Sequence, residues 1–228
     1  MAKAHFTAII LAGGSGSRMG TKTAKQYIAY KEKPLLYYTL KVFEESTVDD
    51  IVLVCRPGDE NFCRQEIVDK YNLKKVKSIV TGGKERYDSV YAGLLSCQSD
   101  YVLIHDGARV CISNDVISRC MEDVVQYKAS IAAVPVKDTI KMADSRGIVT
   151  ATPERSALWQ IQTPQCFAYS VIRHAYDKML SSAHNMNITD DAMVVENFGD
   201  TGVHITPGSY SNIKVTTPED MKLLEHFI

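Results

Sequence analysis

Short apolar runs alternating with amphipathic stretches organise this chain. Residues 5–12 (HFTAIILA), 51–55 (IVLVC), 76–80, 101–104 (YVLI) and 131–134 each read as strands. Runs such as AIIL and IVLV carry no polar alternation, the mark of strands buried on both faces. Between them, residues 35–45 place Leu36, Leu40 and Phe43 at helical spacing. Residues 61–70 read as a polar helix and 86–97 as another. Ser113 opens a helix running to about Tyr127, with Asp115 in its first turn. Strands separated by helices of this length predict a mostly parallel sheet covered on both sides, an α/β fold.

The rhythm breaks between residues 136 and 162. Residues 138–142 and 148–152 flank Asp144-Ser145-Arg146-Gly147, a turn-forming tetrapeptide, and so predict a projecting β-hairpin. An isolated hairpin is marginally stable, so a second subunit is the simplest surface for it to pack on. Helices resume at 169–180 and 189–198, followed by a strand at 203–206 and an extended segment at 212–215. Thr217-Pro218-Glu219-Asp220 opens the last helix with a cap, a first-turn proline and two carboxylates at its positive end. The 228 residues suit one domain, 1–228, carrying an arm at 136–160.

Composition narrows the function classes. With 45% hydrophobic and 23% charged residues and a net charge of -1, nothing marks a nucleic-acid or membrane-surface binder. No apolar run reaches the ~18 residues of a membrane helix, and the first residues lack the pattern of a signal peptide. The expected location is the cytoplasm. Six cysteines without a C-x-x-C pair read as reduced, buried thiols, and the six histidines form no zinc-binding set.

Three loops carry the candidate chemistry, each at the carboxyl end of a strand, where open α/β sheets bind ligands. The first is Gly13-Gly14-Ser15-Gly16-Ser17-Arg18-Met19-Gly20, followed by Lys25-Gln26. Backbone N–H groups of such a loop can approach phosphate, and two nearby cations suit a triphosphate. The dinucleotide fingerprint fails at Met19, and no phosphate-binding G-x-x-x-x-G-K-[ST] loop occurs. The second is Gly82-Gly83-Lys84-Glu85-Arg86-Tyr87-Asp88-Ser89, which could line a base pocket or simply turn the chain. The third is His105-Asp106-Gly107-Ala108-Arg109. Its carboxylate suits metal or ribose contact and its arginine suits phosphate, unless the two pair to stabilise the turn. Downstream lie Thr139 and Lys141 on the hairpin and Thr152-Pro153-Glu154-Arg155 on its return. Thr189-Asp190-Asp191 reads equally as a helix cap, and Lys214 sits in the extended segment.

Taken in order, AGGSGSRM, KQY, GGKERYDSV, HDGAR, PVKDTIK, TPERSALWQIQTPQCF, ITDDAMVVENFG and NIKVTTPED resemble the 2-C-methyl-D-erythritol 4-phosphate cytidylyltransferase family of the non-mevalonate isoprenoid pathway, over nearly the whole chain. The resemblance implies a three-layer, Rossmann-like nucleotidyltransferase fold whose β-arm interlocks a homodimer. It implies CTP as co-substrate, Mg²⁺ held chiefly through the CTP phosphates, and a small sugar-alcohol phosphate as acceptor. By the same resemblance Ala12, Gly13, Gly14 and Ser15 hold CTP, and Arg18 and Lys25 bind its triphosphate. Gly83 and Ser89 read cytosine, Asp106 and Gly107 contact the nucleoside, and Lys214 lies near the α-phosphate. Arg109, Thr139 and Thr189 match the methylerythritol-phosphate pocket, and Arg155 matches an arginine given across the dimer.

The chain departs from the family pattern at Lys84, often acidic in relatives, at Gly107 and Val110 within HDGARV, and at Ser17. Ribitol-5-phosphate cytidylyltransferases share the CTP half and QTPQ. PERSALWQIQTPQ and the Thr189-Asp190-Asp191 to Glu196 spacing lean toward the methylerythritol enzyme. A nucleotide-binding homologue without catalysis is the third alternative.

Overall fold

The computed structural model describes residues 3–14, 24–182 and 186–228. Seven strands form one central sheet: β1 (Phe6–Ala12), β2 (Asp50–Cys55), β3 (Val76–Thr81), β4 (Tyr101–Asp106), β5 (Ala129–Pro135), β6 (Trp159–Ala168) and β7 (His204–Pro207). Their order is β7-β5-β6-β4-β1-β2-β3. All pairs are parallel except those of β6, which runs antiparallel to both β4 and β5.

Alternate residues of the strands feed two cores. Ala8, Ile10 and Leu53 face α1 (Leu35–Glu45) and α3 (Asn114–Tyr127). Ile9, Val52, Val102 and Ile104 face α2 (Arg86–Leu95), α4 (Tyr169–Ser181) and α5 (Asp191–Phe198). A sheet without a wet face is what the unbroken apolar runs require. Ser113 caps α3, its hydroxyl accepting the N–H of Val116. Thr217 and Asp220 form a reciprocal capping box for α6 (Pro218–Leu223).

The structure differs from the sequence expectations in several places. Residues 61–70 are not one regular helix: a turn at Glu60–Phe62 passes into π-helical winding over Cys63–Asp69. Residues 159–168 form an unforeseen central strand. Its Pro164 lies where the pairing of β6 with β5 shifts, between Ile161 and Gln165, so no ladder bond is demanded of it. Helix α5 starts at Asp191, and Asp190 rather than Thr189 caps it by accepting the Met193 N–H at 3.0 Å. Residues 212–215 form no sheet strand; they lie along the loop after β4, with Val215 N–H donating to Ala108 O at 2.9 Å.

The hairpin is shorter than expected, pairing Met142–Ala143 with Val149–Ala151. Asp144 closes its turn by accepting the N–H groups of Arg146 and Ile148, and Gly147 supplies the positive φ of 81°. Ile140, Met142, Ile148 and Val149 are all exposed on it.

Candidate active site

The carboxyl ends of β1, β3 and β4 open on a cavity of about 440 Å³. From the first strand come Ala12, Gly13 and Gly14, and Lys25 and Gln26 return to the same wall. Gln26 is buried and donates to Ala12 O at 2.6 Å, which ties the returning chain to the strand end. Ser15 and Arg18 lie outside the described residues.

The loop after β3 supplies Gly83, Lys84, Glu85, Arg86 and Ser89. The Ser89 hydroxyl accepts the Gly83 N–H at 3.1 Å and donates to Glu85 O at 3.2 Å, so it knits the turn that opens α2. Gly83 has no room for a side chain: a Cβ there would stand 2.2 Å from the Asp88 Cβ. Asp88 in turn accepts the Glu85 N–H at 3.0 Å, completing the cap of α2.

Asp106, at the end of β4, stands between two cations. Lys214 Nζ is 2.7 Å from one of its oxygens and Arg86 Nε is 3.6 Å from the other. Burial opposes ionisation of Asp106, but Arg86 and then Lys214 overcome it and hold the carboxyl well below the usual range. Lys25 reaches the same corner, its ammonium donating to the carbonyl of Val215 at 3.2 Å. The two lysines thus share one rim although they lie at opposite ends of the chain. The described lining carries Lys25, Lys84, Arg86 and Lys214 against Glu85 and Asp106. That excess of positive charge in a concave, partly enclosed wall suits a polyanion.

The remaining site residues lie elsewhere. Gly107 is buried beneath the cavity; its N–H donates to Leu11 O at 2.8 Å and its carbonyl accepts the Thr39 hydroxyl at 3.0 Å. Arg109 turns its guanidinium to the carbonyls of Asn212 (2.7 Å) and Ile161 (3.5 Å), while its backbone N–H closes the turn onto Asp106 O. Thr139 and Arg155 are exposed on the arm, Arg155 donating to Lys137 O at 3.2 Å. Thr189 is exposed just before α5. None of Gly107, Arg109, Thr139, Arg155 or Thr189 lines the described cavity.

The sequence placed Arg86 only within the glycine loop after β3 and Asp191 only within a possible helix cap, and gave no sign that the two meet. Arg86 lines the cavity and makes a two-pronged pair with Asp191, at 3.0 and 2.7 Å. The available signal was a basic residue immediately after a glycine pair at a strand end.

His105 is fully buried beneath Asp106. Its Nε2 lies 3.2 Å from Arg109 O, and its Nδ1 lies 3.0 Å from the Thr163 hydroxyl, which also accepts the Asp106 N–H. A carbonyl only accepts, so Nε2 carries the proton and the Thr163 hydroxyl donates to Nδ1. Burial pushes the imidazole down to about 4, against the pull of Asp106. The unfolded chain binds this proton near pH 6.5. Stability from the neutral ring is therefore full above pH 6.5 and is lost as the pH falls toward 4, by up to about 1.4 kcal/mol per pH unit. Asp106 acts in the same direction, but only below about pH 4. Urea unfolding at pH 7 and pH 5 should show the fall, and His105→Gln should flatten it. An equal fall in the variant would show that other groups cause it.

The family model described as 2-C-methyl-D-erythritol 4-phosphate cytidylyltransferase matches residues 6–228. A 2-C-methyl-D-erythritol 4-phosphate cytidylyltransferase of Lachnospira eligens is 49% identical over 224 residues, covering 97% of this chain and 98% of its own. One from Lachnoclostridium phytofermentans is 46% identical over 220 residues, covering 96% and 94%. The crystal structure of 4-diphosphocytidyl-2C-methyl-D-erythritol synthase from Anaerococcus prevotii superposes with a TM-score of 0.84 at 33% identity, covering 98% of each chain. On the strength of a match that runs from β1 to the last residue, the chain belongs to the 2-C-methyl-D-erythritol 4-phosphate cytidylyltransferase family.

Proposed function

We propose that this protein transfers CMP from CTP to 2-C-methyl-D-erythritol 4-phosphate, giving 4-diphosphocytidyl-2-C-methyl-D-erythritol and pyrophosphate. The observation that carries the reading is the meeting of Lys25, Lys214 and Asp106 in one cation-rich cavity at the carboxyl edge of the sheet.

A phosphate oxygen of the acceptor attacks the α-phosphorus of CTP in line. The new P–O bond forms as the bond to the β-phosphate oxygen breaks, and pyrophosphate leaves with that electron pair. The acceptor phosphate is already an anion, so no strong general base is required. The obstacle is bringing two anions together, and catalysis is positioning plus charge stabilisation. Lys25, Lys214 and Arg18 neutralise the transferring group. Ala12, Gly13, Gly14 and Ser15 cradle the nucleotide. Gly83 and Ser89 hold the cytosine side, while Asp106 faces the ribose and Gly107 shapes the floor beneath it. Arg109, Thr139 and Thr189, with Arg155 from a second subunit, receive the sugar phosphate.

Mg²⁺ belongs to this reading as a companion of the triphosphate. Among the described residues no group of three or more His, Cys, Asp and Glu is arranged to hold a metal. The lining offers Asp106 and Glu85, and Asp106 is already engaged by two cations. Mg²⁺ is commonly held by one or two carboxylates plus substrate phosphates, so this donor set fits an ion carried chiefly by CTP. Bound there, it would neutralise charge on the departing pyrophosphate.

Residues 1–228 act in this reading as one domain, with 136–160 as an arm that joins a homodimer. Support comes from the apolar side chains left exposed on a short hairpin. A cytoplasmic location accords with six unbridged cysteines. Among the described residues no helix is long and apolar enough to cross a membrane.

Pyrophosphate release with CTP and Mg²⁺ tests the assignment. Release with methylerythritol phosphate should exceed that with ribitol 5-phosphate at least about tenfold. The reverse order would move the chain to the ribitol activity, and no release with either would leave a nucleotide-binding protein.

A further inference from the structure

Arg86 binds one carboxylate through two hydrogen bonds and pairs with a second by charge alone. Nη1 and Nη2 grip the two oxygens of Asp191 at 3.0 and 2.7 Å, and Nε faces Asp106 at 3.6 Å. Asp191 is wholly buried, and its Oδ1 also accepts the Tyr176 hydroxyl at 2.7 Å. The backbone around Asp191 is fixed from the sheet. Gln165 of β6 accepts the N–H groups of Asp191 and Ala192 through Oε1 and donates to Asp190 through Nε2. A rigid chain of contacts therefore runs from β6 through Asp191 and Arg86 to Asp106, and from Asp106 to Lys214 at 2.7 Å.

An arginine fork locked on one carboxylate leaves its Nε in a defined place. Lys214 alone would let Asp106 follow a long, flexible side chain. Arg86 supplies a second, immobile cation on the opposite side. We infer that Arg86 is a positioning residue for CMP transfer: clamped by the buried Asp191, it holds the Asp106 carboxylate in the orientation from which Asp106 steadies Lys214 and meets the nucleotide. The inference rests on the reading of the cavity as the CTP site.

A variant cycle tests it in the full chain. Arg86→Gln alone would strand the buried Asp191 charge, so the paired change Arg86→Gln/Asp191→Asn removes cation and anion together. It is compared with Asp106→Asn and with the triple variant, reading turnover and CTP affinity beside thermal unfolding. The pair should lower turnover about 10–100-fold, the range seen when a partner that orients a ligating group is lost. Because Arg86 acts through Asp106, the triple variant should stay within about twofold of Asp106→Asn alone. Wild-type turnover in the folded pair variant, or a triple variant weakened by the full product of the two effects, would overturn the inference. Arg86→Lys keeps the charge but cannot grip two carboxylates. It should lose about tenfold in turnover, and full activity in that variant would also overturn the inference. Failure of the unaltered chain to release pyrophosphate would overturn the underlying reading instead, and is told apart because it needs no variant.

Discussion

Replacing Lys214 by alanine should lower turnover for CMP transfer by about 10²–10³-fold, the loss typical of removing one preorganised group that stabilises transition-state charge. The ammonium lies at the edge of the cavity, 2.7 Å from Asp106 and beside the Val215 carbonyl that Lys25 holds. In the free protein it neutralises Asp106; beside bound CTP it is placed to follow the charge that grows on the α-phosphate. The attack adds an oxygen to an already anionic centre, so the ammonium is needed more at the transition state than in the bound complex. The fall should therefore be larger in kcat than any rise in KM for CTP. The fold should survive, because Arg86 remains on the other side of Asp106 and the carboxylate keeps a cation. Steady-state kinetics with a thermal melt check both halves. Near-normal turnover in a folded Lys214→Ala protein would remove the chemical basis of the proposed site.

The residues that the sequence could place are those whose reasons are local. β1, β2 and β4 announce themselves as apolar runs because both faces of the sheet are covered. The caps at Ser113 and Thr217 are legible because each needs only residues within a few positions. The three glycine- and charge-bearing loops were found because each directly follows a strand. β6 was hidden for the opposite reason. Its core stretch reads Gln162-Thr163-Pro164-Gln165, and the three polar side chains are buried only because distant groups satisfy them. Gln162 donates to Ser209 O, Thr163 bridges His105 and Asp106, and Gln165 takes two N–H groups at the start of α5. Hydrophobic periodicity carries no trace of such bonds. Arg86 escaped for a related cause. Its carboxylate partner Asp191 is 105 positions away, so spacing alone leaves it indistinguishable from a solvated cation. The same distance explains why Asp191 looked like a cap: its neighbour Asp190 does the capping, which frees Asp191 to face inward.

Two variants of this chain, each nearly inactive at low sugar phosphate, should restore one another when mixed. Arg155 sits on the arm, exposed, and does not line the cavity of its own subunit, whereas Lys214 does. If the arm delivers Arg155 to the partner, each complete site combines Lys214 of one chain with Arg155 of the other. Arg155→Ala alone should raise KM for the sugar phosphate on the order of 10–100-fold, the cost of a lost charge-assisted contact, with little change in KM for CTP. In a mixed dimer of Arg155→Ala and Lys214→Ala, one site inherits both defects and the other inherits neither. Random exchange of equal amounts makes about half the dimers mixed, so activity should rise from near zero to about a quarter of wild type at subsaturating sugar phosphate. An arginine that served its own subunit would put one defect in every site of the mixed dimer, and mixing would restore nothing. The recovery needs both chains to be folded and to exchange, which a co-purification with two affinity tags establishes on the same sample. A mixed dimer that forms and stays inactive would place Arg155 in the site of its own subunit, and the arm would then carry no catalytic group across the interface.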